Sequence, residues 1–261
     1  MRVWAVALSL LAFFLTLSGA AVAGPRVALV IGNGTYRTMA PRDNAPGDAK
    51  AMAALLRTVG FEVIEATDLT HDQMVARFNE FGQKAGGAEI ALFYYAGQAV
   101  ALNGENYLLP IDSDFKSEMD VKLKAIDARA SVSHVMSGAR VRLMFYDASR
   151  DNPFAAGRQQ EPSRAVITAP AEIRPPEGGT LVAFASAPGQ SAEEGPKGGH
   201  SPFTQALLDH IAAPGVEIQQ AMTEVRAEVN DLTKKRQMAW GNTDLLGYLY
   251  LNPQPTPAAP K

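Results

Sequence analysis

Apolar runs of six or seven residues recur along this chain, and most of the intervals between them carry helical spacing. Arg26–Gly32 (RVALVIG) is rich in valine and closed by Gly-Asn, as a strand buried on both faces should be. Asn44 stands where it can cap the next helix, with Pro46 tolerated in the first turn and Ala49, Met52, Leu55 and Leu56 on one face up to Gly60. Phe61–Ala66 reads as a second strand, and Thr70 with Gln73 forms a capping box for a helix presenting Met74, Phe78 and Phe81. Ile90–Ala96, Val141–Tyr146 and Thr180–Ala185 read as further strands, and Leu245–Leu251 as a candidate edge strand. Between them come a hairpin turning at Asn103-Gly104 and a short helix near Val132–Met136. Two amphipathic helices follow, one capped by Ser201 with Pro202 at its first position and one carrying Ile218, Met222, Val225 and Val229. Strands that alternate with helices predict an α/β fold, a mostly parallel six-stranded sheet covered on both faces.

Composition narrows the function. The sequence has 261 residues, 47% of them hydrophobic, enough for the core of one domain. A net charge of −3 with interleaved signs offers no surface for nucleic acid or anionic lipid. Without cysteine there is no disulfide, thiolate metal site or cysteine nucleophile. The four histidines, His71, His134, His200 and His210, are not spaced as ligands on one helix, and no cofactor or metal site is expected. Asp112, Asp114, Glu118 and Asp120 read as a solvated loop rather than a calcium site. Arg2, the apolar stretch Val3–Leu17 and Ala21-Val22-Ala23 have the form of a cleaved bacterial-type signal over residues 1–23. The expectation is a secreted, periplasmic protein without stable membrane insertion after cleavage; the alternative is an uncleaved anchor.

In open parallel sheets ligands bind where strands end. The polar positions just beyond the strands are Asn33 to Tyr36, Gln98, and Asp147 to Ser149, with Asp48 in the first turn of a helix. The segment Leu143-Met144-Phe145-Tyr146-Asp147-Ala148-Ser149 has the form of a strand that mounts a reactive side chain at its carboxyl end.

Taken in order, RVALVIGNGTY at 26, NAPGDAKAMAALLRTVGFEVI at 44, ALFYYAGQ at 91, GENYLLPID at 104, RLMFYDASRDNPF at 142, GTLVAFASAPGQ at 179 and SPFTQALLDHIAAPGVEI at 201 resemble the caspase-like peptidase clan. The similarity is greatest to its bacterial metacaspase-type (orthocaspase) members. The resemblance implies a caspase-like three-layer sandwich over residues 25–251, with a larger half at 25–154, a linker at 155–179 and a smaller half at 180–251. Residues 252–261 form a proline-rich tail.

In that family a histidine follows Tyr-Ala-Gly and a cysteine ends Asp-x-Cys. Here Gln98 and Ser149 stand at those two positions. Glutamine cannot take and return a proton as imidazole does, and a serine hydroxyl needs a base to become a nucleophile. In a serine protease, losing either the nucleophile or the histidine costs about 10⁶-fold in turnover. The resemblance therefore implies a pseudo-peptidase. His71, His134 and His210 are assigned to helices, and His200 to a glycine-rich loop; each reads as a loop or surface histidine rather than a replacement base.

The resemblance also implies an oxyanion site at the backbone N–H groups of Ala99 and Ser149. Alanine at 99 fits poorly there if its φ is positive. Tyr36 matches a family tyrosine near the site, or is a half-buried loop aromatic. Asp48 and Asp147 match the acids of an Arg/Lys specificity pocket, although each has a structural use as well: helix-dipole complementation for Asp48 and strand-end backbone N–H groups for Asp147. Arg158, Arg164 and Arg174 in the linker are potential cleavage points for a related Arg-specific peptidase. The expected partner is a basic peptide or protein segment, or an active caspase-like paralogue. The alternatives are an Arg/Lys-directed endopeptidase using Ser149 and a scaffold assembling through a sheet edge.

Overall fold

The structure is a computed structural model that describes residues 24–102, 104–149, 179–187 and 190–253. The expected signal segment 1–23, the expected linker up to residue 178 with its three arginines, and the tail from 254 lie outside the described residues. In chain order the elements are β1 (Arg26–Gly32), α1 (Ala45–Thr58), β2 (Glu62–Thr67), α2 (His71–Ala85), β3 (Ile90–Leu102), β4 (Glu105–Leu108) and α3 (Glu118–Lys124). After them come β5 (Ile126–Asp127), α4 (Ala130–Val135), β6 (Val141–Ser149), β7 (Gly179–Phe184), α5 (Pro202–His210), α6 (Ile218–Leu232) and β8 (Trp240–Thr243).

The main sheet runs β2-β1-β3-β6-β7-β8. Every pairing along it is parallel except the last, β7 with β8. Alternation along the strands divides the core in two. Val30, Leu92, Tyr94, Leu143 and Phe145 face α1, α5 and α6, whose Met52, Phe203 and Val225 are fully buried. Leu29, Ile31, Phe93, Tyr95 and Tyr146 face α2 and α4 through Phe78, Phe81 and Val132. Sheet and helices thus form the expected three layers.

Four local expectations change. The edge strand is Trp240–Thr243, not Leu245–Leu251. Gly241 lets β8 approach β7, since a Cβ there would lie 2.7 Å from the Val182 carbonyl. Gly247, with φ +89°, interrupts the later run. That run ties itself to the body through its carbonyls, Leu249 accepting from Ile218 N–H and Leu251 from Arg26 Nη1. The third strand does not stop at Ala96; it continues through Gly97 and leaves the main sheet to pair with β4. Leu102 opposite Glu105 leaves two residues for the hairpin turn, and Gly104 has the positive φ such turns require. The polar stretch before α4 contains the helix α3 and the two-residue strand β5, which periodicity does not reveal. Asn44 makes no side-chain cap for α1, for a reason that belongs to the site. Thr70 with Gln73, and Ser201 with Pro202, start α2 and α5 as expected: Thr70 N–H donates to Gln73 Oε1, and Ser201 Oγ accepts from Thr204 N–H.

Candidate active site

The carboxyl ends of β3 and β6 lie side by side, with Gln98 in register with Ser149. Two groups of residues gather at this end of the sheet.

The first surrounds Gln98. Its backbone N–H donates to the Tyr36 hydroxyl at 2.7 Å, and its carbonyl accepts from Tyr95 Oη at 2.8 Å and from Leu109 N–H at 3.1 Å. The two tyrosine oxygens are 3.1 Å apart. Gly97 makes room for the pair, because a Cβ there would come within 2.7 Å of both hydroxyls. Tyr36 is buried, not the half-exposed loop aromatic of the alternative reading, and burial pushes its phenol up to about 12. The Gln98 side chain points elsewhere, Nε2 donating to the Ala40 carbonyl at 3.2 Å. Ala99 is buried in β3 opposite Leu108 and its φ is not positive, so the strain expected of an alanine is absent. Asn33, at the end of β1, is wholly buried and ties loops together: Nδ2 donates to the Leu109 carbonyl and Oδ1 accepts from Leu69 N–H.

The second group is acidic. Asp48 on α1 and Asp147 on β6 are each only 2% exposed. Asp147 Oδ2 accepts from the Ser201 hydroxyl and, at 2.6 Å, from Thr204 Oγ1. Thr204 Oγ1 is also 2.5 Å from the Tyr94 hydroxyl. Asp147 Oδ1 is buried and has no hydrogen-bond partner among the described residues. Asp48 Oδ1 lies 2.6 Å from His200 Nδ1, and Oδ2 accepts from Ser201 N–H at 3.4 Å. Burial, reinforced by the Asp147 carboxylate, pushes the Asp48 carboxyl up to about 8. Burial raises Asp147 too, against the pull of the two hydroxyl donors. Two carboxylates in one buried enclosure resist ionising together, and a cation between them would reverse that. Arg42 is the nearby cation acting on both acids, and Glu194 an additional negative charge.

The loop that carries His200 is held by Asn44. Its Nδ2 donates to the carbonyls of Glu194 and Pro196, both at 2.8 Å, and its Oδ1 accepts from Gly198 N–H at 3.0 Å. Its backbone N–H donates to Glu194 Oε1 at 3.1 Å. Asn44 therefore clasps a loop 150 residues further on instead of capping its own helix.

The structure thus joins Tyr36 to Gln98 and Asp48 to Asp147. Among the described residues no hydrogen bond links the two pairs. His200 lies in a loop, as expected, and its side chain, about one-third exposed, packs against Asp48, which was not expected. Thr204, Tyr94, Glu194 and the clasp by Asn44 were not anticipated. Ser201-Pro202 signals a helix start, but nothing in its spacing reveals that the same hydroxyl serves Asp147, 54 residues away.

The comparisons with known proteins agree with this architecture. Residues 34% identical to the human mucosa-associated lymphoid tissue lymphoma translocation protein 1 extend over 93 positions, 35% of this chain and 11% of that protein. The mouse homologue is 33% identical over 97 positions, 37% of this chain and 12% of that protein. The matched stretch spans only about a tenth of the length of these curated relatives. The caspase-domain pattern matches residues 25–250, from the start of β1 almost to the end of the described chain, and the chain belongs to the caspase-domain family.

Proposed function

We propose that this caspase-domain protein binds an arginine or lysine side chain of a peptide or protein segment and does not cut it. It acts alone or on an active relative, after export to the periplasm under the signal at residues 1–23. The observation that carries the reading is the buried pair Asp48 and Asp147, with no donor to Asp147 Oδ1 among the described residues. A guanidinium offers planar, bidentate donors and a charge that both acids can face. The lack of cleavage rests on the side chain at 98, an amide turned to the Ala40 carbonyl, which has no proton to exchange near neutral pH.

The test is hydrolysis of Arg- and Lys-terminated reporter peptides by the purified mature protein. No turnover above buffer is expected. Robust turnover that disappears in Ser149→Ala would overturn the reading in favour of a serine-based endopeptidase. A scaffold role would draw on the sheet edge at β8, the outermost strand beside β7 among the described residues; its mark is an oligomer in solution that edge-strand substitutions dissolve.

A further inference from the structure

A pocket built for a basic side chain should be open or should hold something basic. Here Asp48 meets the imidazole of His200, contributed by a loop rather than by the sheet or its helices. The rest of the enclosure is part of the fold: Ser201 and Thr204 belong to the first turn of α5, and Tyr94 to β3. His200 precedes that turn. Upstream of it, residues 193–199 are exposed or half-exposed, and Gly195 and Gly198 have φ near +79° and +77°. Besides His200 and Ser201 at Asp48, the loop is held at the start of α1 chiefly by Asn44, with the surface pair Lys197 and Asp43, 3.3 Å apart, beside it. Its upstream end is fixed at Glu193 by Arg236 and Gln237.

We propose that His200 is a built-in stopper of the acidic pocket, which a basic ligand displaces by swinging the loop between Glu193 and Ser201. This inference rests on the reading of Asp48 and Asp147 as a recognition pair. The imidazole edge makes one hydrogen bond, with Asp48 Oδ1, and Asp147 Oδ1 has no partner among the described residues. A guanidinium has five N–H donors, enough for Asp48 Oδ1 and Asp147 Oδ1 together. The exchange therefore replaces a partial fit by a complete one. The loop behaves as a competitor whose effective concentration is set by its own tether. Asn44 sets the resting position, so the asparagine at the start of α1 determines how readily the pocket opens.

The experiment is calorimetric titration of the full mature chain with N-acetylargininamide, at one pH, for wild type, His200→Ala, Gly195→Ala and Asp147→Asn. Gly195→Ala moves the loop without touching either acid, because a Cβ there would collide with the His200 carbonyl. The expected result is binding at least about tenfold tighter in His200→Ala and in Gly195→Ala, the scale of one charge-assisted hydrogen bond no longer in competition. Wild-type NMR supplies a second readout, in which saturating ligand moves the His200 ring signals to their positions in Asp48→Asn. Binding that depends on Asp147 but is unchanged or weaker in both loop variants, with unmoved His200 signals, overturns the stopper and leaves the recognition reading standing. Absence of binding in every variant overturns both.

Discussion

Gln98 and Asp147 sit on neighbouring strands, one where β3 makes its last pair with β6 and one two residues before the end of β6, yet their side chains are treated in opposite ways. At Gln98 the fold fixes the backbone through Tyr36, Tyr95 and Leu109 and leaves the side chain to a single carbonyl on an exposed loop. At Asp147 the fold fixes the side chain itself, with two hydroxyls on one oxygen, and buries the other oxygen bare. A buried acceptor without a donor costs about 1–3 kcal/mol. Asn106 Oδ1 is another among the described residues, but Asp147 Oδ1 is the one near a second buried acid. The contrast is between a position where the fold holds the backbone and leaves the side chain at the surface, and one where it holds and buries a carboxylate. Under the proposed function the first is a lost proton-transfer position and the second a retained recognition site.

The largest expected effect strikes the acidic side. Asp147→Asn should abolish N-acetylargininamide binding, a loss of at least about a hundredfold, because the guanidinium would lose a buried counter-charge. Its stability should stay near wild type, since the amide oxygen still accepts from Ser201 and Thr204. Asp147→Ala, which removes the acceptor that both the Ser201 and Thr204 hydroxyls share, should cost about 1–3 kcal/mol in denaturant titrations. Equal destabilisation by Asn and Ala would break the comparison.

A pH effect comes next. Because the free Asp48 carboxyl is raised to about 8 and a bound guanidinium lowers it, binding releases a proton. Affinity for N-acetylargininamide should rise from pH 6 to pH 8, by at most about tenfold per unit, and level off above. In Asp48→Asn the slope should flatten. Stability runs the other way. The native state keeps a proton that the unfolded carboxyl, with its pKa of roughly 4, releases. The Asp48 contribution is therefore fully present below about pH 4 and is lost as the pH rises toward 8. Unfolding midpoints at pH 5 and pH 8 measure this, and Asp48→Asn should narrow the difference.

On the scaffolded side the effects are smaller and purely structural. Gly97→Ala would drive a methyl into the Tyr36 and Tyr95 hydroxyls and should cost about 1–3 kcal/mol. Tyr36→Phe removes the acceptor of the Gln98 N–H and should cost about 1 kcal/mol, read by chemical denaturation, with no change in N-acetylargininamide binding. A binding loss in Tyr36→Phe as large as that in Asp147→Asn would show that the two regions are one site.

Most of the fold was readable because it is local. Valine-rich runs, the Thr70–Gln73 and Ser201-Pro202 helix starts and the hairpin at Gly104 all have their causes within a few residues of themselves. Leu245–Leu251 misled because an apolar run satisfies a strand pattern, whereas the sheet edge was taken by Trp240–Thr243, which packs through a glycine rather than a hydrophobic stripe. Asn44 misled for a related reason. A cap residue before a helix is a local inference, and its actual partners at Glu194, Pro196 and Gly198 are set by tertiary structure. Asp48 and Asp147 are candidates by resemblance, and the structure places them near each other in the core; the histidine beside Asp48 lies 152 residues away and carries no periodic signal.

The central claim is that recognition is retained where chemistry is not, and one measurement addresses it directly: hydrolysis of an Arg-terminated reporter peptide by the Gln98→His, Ser149→Cys double variant, with and without Asp147→Asn. Supplying an imidazole and a thiol to an intact pocket should create cleavage after arginine that Asp147→Asn removes. No cleavage by the double variant, or cleavage indifferent to Asp147, would contradict the account.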